Sequence, residues 1–128
     1  MKLLLDTHTF LWYVLNDAKL SATARGLIAD PNNQKFLSPA GYWEIAIKIS
    51  TGKYALPGPF DAFLTRQIQV NNFDVLHITV AHAARVATML FHHRDPFDRL
   101  MIAQSLAEGY PLVSADPAFD AYGVTRLW

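Results

Sequence analysis

Cysteine is missing from all 128 residues. That excludes a disulfide framework, a thiol nucleophile and a cysteine-ligated zinc site. An excess of either charge is missing too, since 11 Lys and Arg balance 11 Asp and Glu. Lys and Arg contacts to phosphate dominate non-specific affinity for nucleic acid. A balanced chain is therefore not a plain DNA-binding module, and a nucleic-acid role has to rest on local clustering or on a metal. No apolar run approaches the roughly 20 residues needed to span a bilayer. The opening Met1-Lys2-Leu3-Leu4-Leu5-Asp6 is too short an apolar run for a signal peptide and ends on a carboxylate. Repeats, low-complexity segments and charged tails are absent as well. These absences fit a cytoplasmic protein with no membrane partner.

What is present is apolar material for a core. The hydrophobic fraction is 52% and the charged fraction 17%, which excludes a disordered tail or linker. A chain of this length suits one domain over residues 1–128, burying roughly two-thirds of its unfolded surface.

The apolar pattern alternates between strand and helix. Leu3 to Leu5 reads as a short buried strand. Asp6-Thr7 can cap a helix through Phe10, Leu11, Val14 and Leu15, and Ser21 a second over Ala22 to Ala29. Lys35 to Leu37 is a second strand. Ser38-Pro39 opens a third helix, with proline where its missing N–H costs nothing, through Trp43, Glu44, Ile47 and Lys48 to Gly52. After the Pro57-Gly58-Pro59 break come a helix over Phe60 to Val70 and a strand over Phe73 to Ile78. Thr79 caps a helix over Val80 to Leu90, and Asp95-Pro96 opens another that Gly109 stops. Leu112 to Ser114 and Val124 to Leu127 complete the strands, with a short turn at Asp116-Pro117 between them. This order predicts an α/β fold, a mostly parallel sheet covered on both faces. In open sheets of that kind ligands bind beyond the carboxyl ends of the strands, where Asp6 and Asp116 both fall.

Each acid has a plain structural explanation. Asp6, Asp95 and Asp116 stand at helix N-cap positions, the last two before proline. Asp98 lies in a first helical turn, and Glu44 precedes Lys48 by one turn, a weak ion-pair spacing. Together they say more. Glu44 sits inside the apolar stretch Tyr42-Trp43-Glu44-Ile45-Ala46-Ile47, where an unpartnered carboxylate is costly. Clustered carboxylates repel unless a cation is present or one is protonated. A set of hard oxygen ligands without His or Cys selects Mg2+ or Mn2+ over Zn2+. Such a site suits phosphodiester hydrolysis, with catalytic residues Asp6, Glu44, Asp98 and Asp116. Asp6, Asp98 and Asp116 form the metal-facing set. Asp6 and Asp98 are expected as direct ligands, with Glu44 and Asp116 positioning water or a second ion.

Four stretches resemble the motifs of PIN domains. They are Leu3-Leu4-Leu5-Asp6-Thr7-His8, Ser38-Pro39-Ala40-Gly41-Tyr42-Trp43-Glu44-Ile45-Ala46-Ile47-Lys48, His93 through Ser105, and Leu112-Val113-Ser114-Ala115-Asp116-Pro117-Ala118-Phe119. They occur in the family's order and at its usual spacing, over nearly the whole chain. Within PIN domains the chain looks most similar to the single-domain toxins of VapBC-type toxin–antitoxin pairs. The resemblance implies a three-layer α/β/α fold and Mg2+- or Mn2+-dependent cleavage of RNA. It also implies a homodimer, and inhibition by a small antitoxin protein whose tail fills the active site. Asp6, Glu44, Asp98 and Asp116 fall on the family's acidic positions, and Ser114, a candidate substrate contact, where the family often has threonine or serine.

His92-His93-Arg94, with Arg99 just beyond, form a local basic cluster. It reads either as a phosphate contact, with Arg94 and Arg99 binding substrate, or as a solvated loop. Zinc binding by the adjacent histidines is not expected. Lys48 either pairs with Glu44 or touches substrate. His8, His77 and His82 are expected to be structural.

An aspartyl phosphatase wants a second acid two residues after the first, where His8 stands. A receiver domain wants paired acids and a late lysine, but no lysine follows Lys53. A PIN nuclease of RNA processing, or an interaction module whose acids only cap helices, stands as the alternative.

Overall fold

The computed structural model describes Met1–Trp128. Five strands form one sheet: β1 (Lys2–Leu5), β2 (Gln34–Leu37), β3 (Phe73–Val75), β4 (Leu112–Val113) and β5 (Arg126–Leu127). Their spatial order is β3-β2-β1-β4-β5, and every pairing is parallel. The helices are α1 (Thr7–Val14), α2 (Ala22–Ala29), α3 (Pro39–Ser50), α4 (Phe60–Val70), α5 (Val80–Thr88) and α6 (Pro96–Glu108), with a 3-10 helix over Pro117–Tyr122.

The apolar run Leu3-Leu4-Leu5 is explained by burial on both faces. Successive strand side chains point to opposite sides. Leu3 and Leu5 join Phe10, Leu11, Ile28, Ile45 and Leu64 in one core. Leu4 joins Phe36, Met101, Ile102, Leu112 and Phe119 in the other. Helices thus cover both faces, as the parallel pairing requires, and the three-layer expectation is met.

Several boundaries differ from the sequence reading, β5 for instance starting at Arg126 rather than Val124, and two have a visible physical cause. The third strand stops at Val75 rather than Ile78. Its neighbour β2 ends at Leu37 and turns into α3, so after the bond from Leu76 N–H to Leu37 O (2.8 Å) no ladder remains. Helix α5 ends at Thr88 rather than Leu90, because Met89 is extended (ψ 137°). The Met89 and Leu90 carbonyls instead accept bonds from Arg99 Nη2 (3.2 Å) and Nη1 (2.8 Å).

The chain leaves β1 towards β2 on one side and returns to β4 on the other. The carboxyl ends of β1 and β4 therefore flank the point where the strand order reverses, which is where such sheets leave a crevice.

Candidate active site

Asp6 follows β1 directly and caps α1, its Oδ1 accepting the Thr9 N–H at 2.8 Å. Its Oδ2 accepts from the Ser114 hydroxyl, which lies just past β4. The same Ser114 Oγ accepts the Asp116 N–H at 3.0 Å. Ser114 thus links the turn after β1 to the turn after β4. Asp6 is buried. Burial raises its pKa, opposed by the bonds from Ser114 and Thr9.

Asp98 sits in the first turn of α6, whose N-cap is Asp95. Asp95 Oδ1 accepts from Phe97 N–H at 2.8 Å and Asp98 N–H at 3.1 Å. The Asp98 carboxyl meets His93, with Nε2 2.8 Å from Oδ2. Its pKa is pushed up to about 6, chiefly by burial; the His93 bond opposes this, and the charges of Asp95 and Glu44 add to it. Asp116 caps the 3-10 helix through Ala118 N–H at 2.9 Å. Ligand atoms of His93, Asp98 and Asp116 all lie within 4.8 Å of one another.

Glu44 comes from α3 and is 5% exposed. Its Oε2 pairs with Lys48 Nζ at 3.1 Å. Its Oε1 is buried with no hydrogen-bond partner, an arrangement that is costly without a cation or donor nearby. The carboxylates, the orphan Glu44 oxygen and a ring nitrogen fit a divalent ion in their chemistry: they supply negative charge and hard oxygens.

Of the four acids expected to converge, two share one cluster and two lie outside it. Asp98 and Asp116 share one tight cluster with His93, with Glu44 near enough for its charge to act on Asp98. Asp6 stands outside that 4.8 Å cluster and joins it through Ser114. The capping roles are equally real, since Asp6 and Asp116 each spend one oxygen on a cap. Lys48 sits on Glu44. Arg94 is exposed beside the site.

Arg99 was expected as a substrate contact, and the structure puts it elsewhere. It is 5% exposed. Its guanidinium bonds Leu90 O, Met89 O and, at 3.2 Å, the Tyr122 hydroxyl. It clamps the segment before α6, with Phe91 stacked on its guanidinium. The sequence puts His93 in a basic cluster and at the head of the third PIN-like stretch, without marking it as a member of the acidic site. The usable signal was its position two residues before the Asp95 cap, where the chain turns back over the first turn of α6. His82 is structural as expected: Nε2 lies 2.8 Å from Glu108 Oε1, and Nδ1 accepts the Thr79 N–H at 3.1 Å.

The family model described as PIN domain matches residues 3–124. No curated protein matches the sequence. Solved structures do. The VapBC2 complex of Rickettsia felis, bound to a DNA fragment from their promoter, aligns at TM-score 0.71 and 14% identity, covering 99% of this chain and 98% of that one. FitAcB from Neisseria gonorrhoeae aligns at TM-score 0.67 and 16% identity, over 98% and 96%. VapBC-1 from nontypeable Haemophilus influenzae aligns at TM-score 0.67 and 16% identity, over 99% and 97%. At these identities the likeness is one of fold.

Proposed function

The chain belongs to the PIN domain family, and from that premise we propose a divalent-metal-dependent endoribonuclease that hydrolyses RNA phosphodiester bonds. The observation that carries the reading is the 4.8 Å cluster of His93, Asp98 and Asp116, tied to Asp6 through Ser114 at the carboxyl edge of the sheet. PIN domains are in general nucleases, and residues 1–128 act as one such domain under this reading.

Asp6, Asp98 and Asp116 would hold Mg2+ or Mn2+, and Glu44 would position water through its unpaired Oε1. A bound divalent ion supplies an activated water and neutralises charge on the phosphoryl oxygens. The protein's own residues prepare that chemistry. Ser114 holds the Asp6 carboxylate in place by donating to Oδ2. Asp98, with its pKa near 6, is ionised at neutral pH and available as a ligand. Lys48 neutralises one Glu44 oxygen and leaves the other facing inward. The exposed Arg94 offers a guanidinium to a substrate phosphate.

The biological role we propose is that of the toxin in a toxin–antitoxin pair. The likeness in fold to the VapBC and FitAcB structures supports it. The partner would be a small antitoxin whose tail fills the site, and the toxin would be a homodimer. RNA as substrate implies action in the cytoplasm; no helix is long and apolar enough to cross a membrane. The test is incubation of purified protein with total cellular RNA and Mg2+ or Mn2+, beside Asp6→Ala. Cleavage by the wild type alone is expected. Equal cleavage by both would reject the site.

A further inference from the structure

We propose that His93 is a direct ligand of the divalent ion through Nε2, making a mixed nitrogen–oxygen site that favours Mn2+ over Mg2+. This rests on the cation site proposed above.

The separations are close to those of ligands around one ion. Ligands about 2.1 Å from an ion lie roughly 3 Å apart when adjacent and about 4.2 Å apart when opposite. His93 Nε2 and Asp98 Oδ2 are 2.8 Å apart, and Asp116 completes a triangle no wider than 4.8 Å. The three come from separate segments: the loop before α6, the first turn of α6, and the cap after β4. A histidine that served only to orient Asp98 would not need Asp116 within the same reach. His93 is also held in place. Its main-chain N–H donates to the Tyr122 hydroxyl at 2.8 Å. Its ring meets Phe119 edge-on at 6.1 Å between centroids. A second observation points independently to a cation here. Glu44 Oε1 is buried without a partner, and its charge reaches Asp98.

The consequence is selectivity. Mg2+ prefers oxygen and dehydrates reluctantly, whereas an imidazole ligand suits transition metals. A purely acidic site would not discriminate in this way.

The experiment is pulsed EPR on the Mn2+-loaded protein, which detects nitrogen bonded to Mn2+. A 14N coupling is expected in the wild type. It should convert to a 15N pattern when histidine is 15N-labelled, vanish in His93→Gln and persist in His8→Gln. In parallel titrations His93→Gln should weaken Mn2+ binding about tenfold or more and Mg2+ binding less than about threefold. Bound Mn2+ without nitrogen coupling in the wild type, or coupling that survives His93→Gln, overturns this inference and leaves the cation site standing. No Mn2+ binding at all overturns the cation site and this inference with it. The labelled wild-type measurement needs no variant, so a folding defect in His93→Gln does not rescue the proposal.

Discussion

The Ser114 hydroxyl donates to Asp6 Oδ2 although the two residues are 108 positions apart in the chain. The bond spans the carboxyl ends of β1 and β4, the two strands flanking the reversal in strand order. Because the same oxygen accepts the Asp116 N–H, one small side chain sets the positions of two acids.

Ser114→Ala should therefore act twice. It leaves a buried carboxylate without its donor and a main-chain N–H without its acceptor. The expected cost is about 1–3 kcal/mol of stability, with RNA cleavage reduced roughly 10- to 100-fold. Ser114→Thr, which keeps the hydroxyl, should retain most of both. Denaturant unfolding and a cleavage assay check the pair.

Asp98→Asn should stabilise the metal-free protein at pH 7.5 while abolishing its response to metal. Burial and neighbouring acids push the Asp98 pKa up to about 6, so the ionised form is disfavoured in the folded state. Removing the charge should be worth on the order of 1–2 kcal/mol after allowance for the open rim of the site, or a few degrees in Tm. Mn2+ should raise the Tm of the wild type by mass action and leave that of Asp98→Asn unmoved.

The pH dependence follows from the same shift. Between the unfolded value near 3.8 and the folded value near 6, the folded state binds more protons than the unfolded one. The stability contribution of Asp98 therefore falls as pH rises through that window and is constant above it. Metal binding has the opposite slope, because proton and cation compete for the carboxylate. Mn2+ affinity should rise by up to about tenfold per pH unit below pH 6 and flatten above it. Calorimetric titration across pH 5 to 8 reads this directly.

Arg94 and Arg99 should separate cleanly. Arg99→Ala should lower stability by about 1–3 kcal/mol, since it removes the bonds that the buried guanidinium makes to the Met89 and Leu90 carbonyls and the Tyr122 hydroxyl, and leave the KM for RNA unchanged at a temperature where the variant is folded. Arg94→Ala should leave stability unchanged, raise KM and lower the salt slope of binding by about 1.

Much of this was legible because local rules and tertiary roles coincide. Asp6, Asp95 and Asp116 cap helices, so sequence pattern alone puts them at strand–helix junctions, and the parallel topology carries Asp6 and Asp116 to one edge. The Leu3–Leu5 run announces a strand buried on both faces. What was not legible depends on contacts between distant segments. The β3 boundary is set by where β2 ends. The roles of Arg99 and His93 depend on Tyr122, which accepts from Arg99 Nη1 and from the His93 N–H. No local pattern around residues 93–99 contains that hydroxyl, so in the sequence a buried clamp and a cluster member read together as one basic cluster, either a phosphate contact or a solvated loop.

The most direct test of the central claim is end-group analysis of RNA cut by the purified protein. Water attack at a metal site should leave terminal phosphate monoesters without 2′,3′-cyclic phosphate, and cleavage should cease in EDTA and in Asp98→Asn. Cyclic phosphate ends, or cleavage that survives either treatment, would contradict metal-assisted hydrolysis at this site.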